Sequence, residues 1–401
     1  MEDVIIIGGG PVGFINALGL AQAGVRVTVI EAESQIIKSP RAAVYFWSVL
    51  DGLGRLGILE EAEAAGVRKQ DYTYLVRSTG ERIEYSMEVL AGHTPHPYNL
   101  HLSQDRLAEI AMRKLQTLSN ATVRFGTRLE ELQQDATGVT LAVLTGHERQ
   151  ELRANWVIGA DGAGSTVRRL LGLSFDGVTW PERFVATNVY CDFERYGYAR
   201  ATFVIDGRCG AVVVILNNEG LWRCTYMEDA TLPEETFLER LPRVYQTIVP
   251  DQGSYQLERA SPYRMHQRSA ETYRVGRVIL AGDAAHVTNP TGGLGLTSGL
   301  LDSYALYPAL AAVVLESADD EVLDRYSAAR REIFVNRVSP QATANKRLVF
   351  HANGGGRELE EALANLRRLA TDPQFRWQRL MFTKSLETPP LVGTPRSGFS
   401  A

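Results

Sequence analysis

Four short apolar runs punctuate the chain, at residues 4–7, 25–30, 156–158 and 278–281. Each is too short for an independent helix and predicts a strand; the first, third and fourth, which lack polar alternation, predict strands buried on both faces. The first breaks at Gly8 and passes at Pro11 into a helical stretch, and the second closes at Glu31, which gives a strand–helix–strand unit. Residues 41–66 carry helical spacing, with Leu50, Leu53, Leu56, Ile58 and Leu59 on neighbouring turns and Gly66 as a stop. Residues 72–100 alternate and hold several aromatics, as strands and loops do. Ser103 followed by acids marks a helix start, running to about Leu118. Strands are predicted over 122–125 and 138–144. From about 175 to 265 the texture changes: residues 201–205, 211–216 and 221–227 alternate and are rich in Val, Tyr, Phe and Thr, which predicts an antiparallel sheet. Helices dominate from Gly295 onward, and the Pro/Gly/Ser-rich stretch 389–401 predicts a flexible tail.

This pattern divides the 401 residues into an α/β domain, 1–71, 101–174 and 264–388, and an inserted β-sheet domain, 72–100 and 175–263. Hydrophobic residues at 45% and charged residues at 22% allow a substantial core. A net charge of -5 leaves no basic footprint, so neither nucleic acid nor a membrane surface is an expected partner. Cys191, Cys209 and Cys224 form no C-x-x-C pair, which argues against a disulfide framework, a zinc site or a redox disulfide and favours a reducing, cytoplasmic setting. No stretch approaches a membrane span, and the first apolar run is too short for a signal peptide. His93, His96 and His101 lie in a Pro-containing loop with no rigid face, so no metal is expected there.

Three separated blocks carry the candidate chemistry. In Gly8-Gly9-Gly10-Pro11-Val12-Gly13, Gly10 lets backbone approach a pyrophosphate and Gly13 lets the helix pack closely on the strand. The helix N-terminus at Pro11 offers unpaired N–H groups and a positive dipole end to a phosphate. Glu31, about twenty residues on, is placed to accept hydrogen bonds from an adenosine ribose. The second block is Ala160-Asp161-Gly162-Ala163-Gly164-Ser165-Thr166-Val167-Arg168. The third is Gly282-Asp283-Ala284-Ala285-His286, continuing through Asn289-Pro290-Thr291-Gly292-Gly293-Leu294-Gly295-Leu296.

With these three blocks in this order, the chain resembles the class A FAD-dependent aromatic hydroxylases, the flavoprotein monooxygenases of the para-hydroxybenzoate hydroxylase type, over most of its length. The resemblance implies a Rossmann-like FAD-binding domain of the GR2 type, an inserted antiparallel β-sheet substrate domain and a C-terminal helical region. It implies that Asp283 bonds a ribityl hydroxyl and that backbone N–H groups of 292–297 face the flavin N1–C2 edge. A helix N-terminus there stabilises the negative charge of reduced flavin. By the same resemblance Asp161, with Gly162 and Arg168, serves both FAD and the nicotinamide donor. Arg41 lies near the flavin and its pyrophosphate, positioning flavin or donor, and Gln104 contacts the ribityl region. His286 either satisfies backbone groups near the flavin or transfers protons. The expected cofactor set is Gly8, Gly10, Pro11, Val12, Gly13, Glu31, Ala32, Arg41, Gln104, Leu129, Asp161, Asp283, Pro290, Gly292, Gly293, Gly295, Leu296 and Thr297. Thr297 stands where many relatives carry Asn, and Leu294 where several have Gln or Lys.

The implied activity is hydroxylation of a small aromatic substrate with NADH or NADPH as transient reductant and O2 as oxidant, through a C4a-hydroperoxyflavin. No protein nucleophile is required. The rival readings are a flavin-dependent oxidase, reductase or halogenase, or a non-catalytic FAD-binding protein; the Trp-x-Trp-x-Ile-Pro segment of halogenases is absent from the sequence. The inserted sheet should form the substrate wall. In the stretch 222–226, either Arg223 and Thr225 or Trp222, Cys224 and Tyr226 face the pocket. Arg223 either binds a substrate carboxylate or faces solvent, and Tyr226 either lines the pocket or packs. Assembly is open between monomer and homodimer.

Overall fold

A computed structural model describes residues 2–38, 40, 42–249, 254–352 and 356–393. The four apolar runs become neighbours in one parallel sheet. Strand Glu2–Ile7 lies at its centre, with Val27–Ile30 and then Ala121–Arg124 on one side, and Glu148–Gly159 and then Val278–Leu280 on the other. Val4, Ile5 and Ile6 are fully buried in a core they share with helix residues such as Phe14 and Leu18 and with Val139, Leu141 and Val143 of the strand Gly138–Thr145, and this is why the run shows no alternation. An antiparallel edge strand, Arg274–Val275, completes that row.

Three local expectations are revised. The helical stretch 41–66 is two helices, Trp47–Arg55 and Leu59–Ala65, separated at Gly57, whose φ of +69° ends the first. Strand Thr127–Asp135, unforeseen in the sequence, pairs with Gly138–Thr145 in an antiparallel ribbon; beyond Leu129 its own side chains are mostly exposed, so it leaves little buried pattern. Helix Phe237–Ile248 interrupts what reads as continuous sheet texture. Leu241, Tyr245 and Ile248 form its buried face at helical spacing, although Pro242 lies inside it.

The second sheet has eight strands: His286–Val287, Gln256–Ala270, Phe175–Tyr190, Leu221–Asp229, Ala211–Ile215, Ala201–Ile205, Asp71–Val76 and Glu81–Ser86. All neighbours are antiparallel except Ala201–Ile205 with Asp71–Val76. The sheet thus draws in residues 71–86, and its strand from Gln256 runs unbroken to Ala270. A small third sheet, Val44–Tyr45, Asn99–His101 and Val67–Lys69, bridges the two halves. The C-terminal part is helical: Leu294–Val314, Glu321–Ile333, Ser339–Phe350, Arg357–Thr371 and Pro373–Leu380. Among the described residues no helix is long and apolar enough to cross a membrane. Of the stretch 389–401, residues 394–401 lie outside the described residues.

Candidate active site

All three blocks stand at the carboxyl ends of the parallel strands, where such sheets form their ligand crevice. A Cβ on Gly8, at φ +112°, would lie 2.3 Å from the Ala160 carbonyl oxygen, and one on Gly13 would lie 1.9 Å from the Gly8 carbonyl oxygen. Those two glycines are needed for close approach of backbone to backbone. Gly10 differs: it is the N-cap of helix Pro11–Gln22 with extended backbone, and a Cβ there would meet nothing within 4 Å. That open space, in front of unpaired helix N–H groups, has room for a phosphate. Pro11 and Val12 follow half-buried. Glu31 closes the loop, its Oε2 accepting the Gly9 N–H at 2.6 Å and its Oε1 the Glu33 N–H at 2.9 Å. Ala32 is exposed beside it, while Leu129 is buried opposite Val143 in the ribbon.

The third block touches the first. A Cβ on Gly282, at φ +60°, would lie 2.9 Å from Val12, and one on Gly299 would lie at the same distance from it. Asn16 donates to Ser303 Oγ at 2.9 Å, and Gly19 abuts the Tyr307 ring. These contacts advance in step along both chains, so helices Pro11–Gln22 and Leu294–Val314 run parallel and present two positive ends to the same crevice. Asp283 is exposed at that edge. Pro290, Gly292, Gly293, Gly295 and Leu296 are half-buried around the start of the later helix, and Gly293 caps it at φ +68°. Thr297 donates its hydroxyl to the Gly293 carbonyl at 3.0 Å, which leaves backbone N–H groups as the donors at this end. Gln104 begins helix Gln104–Leu115 and is half-buried; Arg41 lies outside the described residues.

Asp161 has a local role in this geometry. It accepts the Ser165 hydroxyl at 2.5 Å and the Thr166 and Val167 N–H groups at 2.6 and 3.1 Å, capping helix Thr166–Leu170. Burial raises its pKa against the pull of those bonds. Arg168 joins the second and third blocks, donating to Ala163 and Ala284 carbonyls at 2.8 and 2.7 Å with its guanidinium 3.6 Å from the Phe175 ring centre.

His286 corrects its expectation: its Nε2–H goes to the Asp302 carboxylate at 2.7 Å, not to backbone. Asp302 also accepts the Gly282 N–H at 3.0 Å and Arg330 Nε at 2.7 Å, all in the dry interior. Asp302 was not singled out in the sequence, and Arg330, which beside Arg331 reads there as part of a solvated helix face, is fully buried. The signal that could have found Asp302 was an acid in the middle of an otherwise apolar helix.

The second sheet resolves which face is which. Trp222, Cys224 and Tyr226 pack under helix Phe237–Ile248 with Val185, Leu241 and Tyr245. Arg223 points the opposite way, so it and Tyr226 do not share a wall. Nor does Arg223 face solvent: it is 3% exposed and donates to Asn188 Oδ1 at 2.8 Å. Burial lowers its pKa to about 10, opposed by Tyr263, Asp105, Glu258 and Tyr45. Tyr45 and Asp105 come from the parallel-sheet half, so this face looks toward the crevice. Asn188, which also donates to Glu258 at 3.2 Å, was not singled out in the sequence. His101 is buried in the bridging sheet, where Nδ1–H donates to the Ile215 carbonyl at 3.2 Å and Nε2 accepts from Tyr72 at 3.3 Å. Among the described residues no group of three His, Cys, Asp or Glu side chains is placed to hold a metal.

The open Gly10, the carboxylates of Glu31 and Asp283 and the paired helix ends fit an extended dinucleotide of the FAD kind. Similarity to known proteins bears on the same point. The family model described as an FAD binding domain matches residues 1–340. Over 388 residues the chain is 42% identical to 6-hydroxy-3-succinoylpyridine 3-monooxygenase of Pseudomonas putida, covering 96% of this chain and 98% of that protein. It is 44% identical over 349 residues to para-nitrophenol 4-monooxygenase of Pseudomonas sp., covering 86% of each. The crystal structure of p-nitrophenol 4-monooxygenase from Pseudomonas putida matches with a TM-score of 0.92 at 42% identity, over 96% of this chain and 98% of that one. The chain belongs to the FAD-dependent aromatic hydroxylases of the class A flavoprotein monooxygenase family.

Proposed function

We propose that the chain hydroxylates a small hydroxylated aromatic ring in its ionised form, held on the Arg223 face of the eight-stranded sheet, with NADH or NADPH as reductant and O2 as oxidant. The observation that carries this reading is a buried guanidinium, lowered to about 10 by its surroundings, facing the crevice side of the sheet. A cation held out of water gains from every anionic neighbour, and an ionised ring bound on this face would be one. A phenolate or a carboxylate on the ring would supply the charge, and the phenolate form is also the more easily oxygenated. The names of two relatives, a hydroxypyridine monooxygenase and a nitrophenol monooxygenase, each denote a ring hydroxyl on a six-membered aromatic.

Bound FAD would supply the activation of O2 and the transfer of one oxygen atom to the ring. The protein's part is to hold and to shield. Gly8 to Gly13 and the helix end at Pro11 would hold the pyrophosphate, Glu31 the adenosine ribose, and Asp283 with the 290–297 backbone the ribityl and ring end. Asp161 and Arg168 would act indirectly, by fixing the second block against the third. Arg223 would orient the ring and keep it ionised, and the apolar neighbours Val214 and Phe203 on that face would exclude water.

The test is R223M against wild type, with NADH, NADPH and a panel of phenols and hydroxypyridines. Loss of a buried ionic partner should cut kcat/KM by about 100-fold or more, mainly through KM, while the protein keeps its FAD. An R223M enzyme within about threefold of wild type, a difference below 1 kcal/mol, would remove Arg223 from the substrate site.

A further inference from the structure

Beneath the cofactor crevice lies a charged network whose charged groups, Asp302 and Arg330, are fully buried. Asp302 Oδ2 accepts the Gly282 N–H at 3.0 Å and the His286 Nε2–H at 2.7 Å, from residues one before and three after Asp283. Its other oxygen takes Arg330 Nε at 2.7 Å. Arg330 reaches on to the Leu386 carbonyl at 2.6 Å, Thr388 Oγ1 at 3.2 Å and the Ser298 carbonyl at 3.2 Å. Asp302, Arg330 and Leu386 are all fully buried, and the His286 ring stacks on Phe334 at 4.3 Å. Asp302 stands on helix Leu294–Val314, whose N-terminus supplies the backbone donors at the flavin end of the crevice.

We infer that Asp302 is a positioning residue for the cofactor: one carboxylate fixes the spacing between the Asp283 turn and the helix end, and Arg330 ties that carboxylate to residues 386–388. The inference rests on assigning the 282–297 segment to FAD. Two elements bond the carboxylate that helix Leu294–Val314 carries, the 282–286 turn and helix Glu321–Ile333 through Arg330, and the C-terminal segment joins them through Arg330. The segment 386–388 lies beyond residue 340, where the match to the family model ends, and through this network it buttresses the cofactor loop from behind. Because Asp302 already serves the turn, His286 and Arg330, it acts through them and does not touch the reacting atoms. Desolvation would raise its pKa, but the pull of His286 and Arg330 beside it lowers the value to about 2.

The experiment compares D302N and R330K with a control, Y198F, which removes a buried hydrogen bond from Tyr198 to the Ile248 carbonyl at 2.7 Å, away from the crevice. Apoprotein is titrated with FAD, following flavin fluorescence and the visible spectrum, and each variant's thermal midpoint is measured. In D302N the amide must turn an N–H toward either Arg330 or the Gly282 and His286 donors. The FAD Kd should rise about tenfold or more, the scale of one lost charge-assisted hydrogen bond, and the bound-flavin spectrum should change. R330K, which keeps the charge but shortens the reach to residues 386–388, should show a smaller rise in the same direction, and it carries the test if D302N does not fold. Y198F should lower the midpoint with Kd unchanged. A D302N or R330K protein that loses thermal stability yet binds FAD within about twofold of wild type, with an unaltered spectrum, would make the network purely structural. Failure of the wild-type protein to bind FAD would instead overturn the cofactor assignment itself.

Discussion

Gly10 and Gly13 lie three residues apart in one loop, and their surroundings call for opposite outcomes on substitution. A Cβ on Gly13 runs into the Gly8 carbonyl at 1.9 Å, so G13A must push the helix off the strand and should destabilise the protein by about 1–3 kcal/mol even without cofactor. A Cβ on Gly10 enters open space on backbone that alanine adopts freely. G10A apoprotein should therefore unfold within about 0.5 kcal/mol of wild type, while its FAD affinity falls about tenfold. Calorimetry of the apoprotein with FAD titration separates the two. An unchanged FAD Kd in G10A would mean that the pyrophosphate does not pass this glycine. The glycines were legible in the sequence because their demand is local. Arg223 was not: in an alternating strand a charge marks a solvent face, and only the packing of the parallel-sheet half over that face buries it.

The elements divide in the same way. Central parallel strands announce themselves by unbroken apolar runs, and helix Pro11–Gln22 by its glycine turn and Pro11. The ribbon strand Thr127–Asp135 buries little and so leaves no pattern, and helix Phe237–Ile248 hides behind Pro242. The bridging sheet is a tertiary product, since its three short strands come from residues 44–45, 67–69 and 99–101. His101 fastens it to the substrate sheet through Ile215 and Tyr72, and burial lowers its pKa from 6.5 to about 4. Between those values the unfolded chain binds more protons than the folded one, so stability is full above about pH 6.5 and declines as the pH falls toward 4. The loss attributable to His101 amounts to about 3 kcal/mol at most. Denaturant melts across this range should show a shallower decline for H101Q than for wild type; parallel slopes would show that His101 does not carry the effect.

In the whole molecule, two sheets with separate cores meet at one crevice: the parallel sheet brings three loops to its carboxyl edge, and the second sheet turns its Arg223 face toward them. Residues hundreds of positions apart thereby share a site, and the crevice could be inferred from the sequence only through the three blocks together. The Asp302 network, spread over helices and the C-terminal segment, left a single trace in the sequence, an acid inside an otherwise apolar helix. The most direct measurement is turnover of the purified protein with NADH or NADPH, a phenol and hydroxypyridine panel and 18O2, followed by mass spectrometry of the product. The expected result is reductant oxidation that rises with a ring hydroxyl compound and a product carrying one atom of 18O. A protein that holds no FAD, or one whose products contain no oxygen from O2, would contradict it.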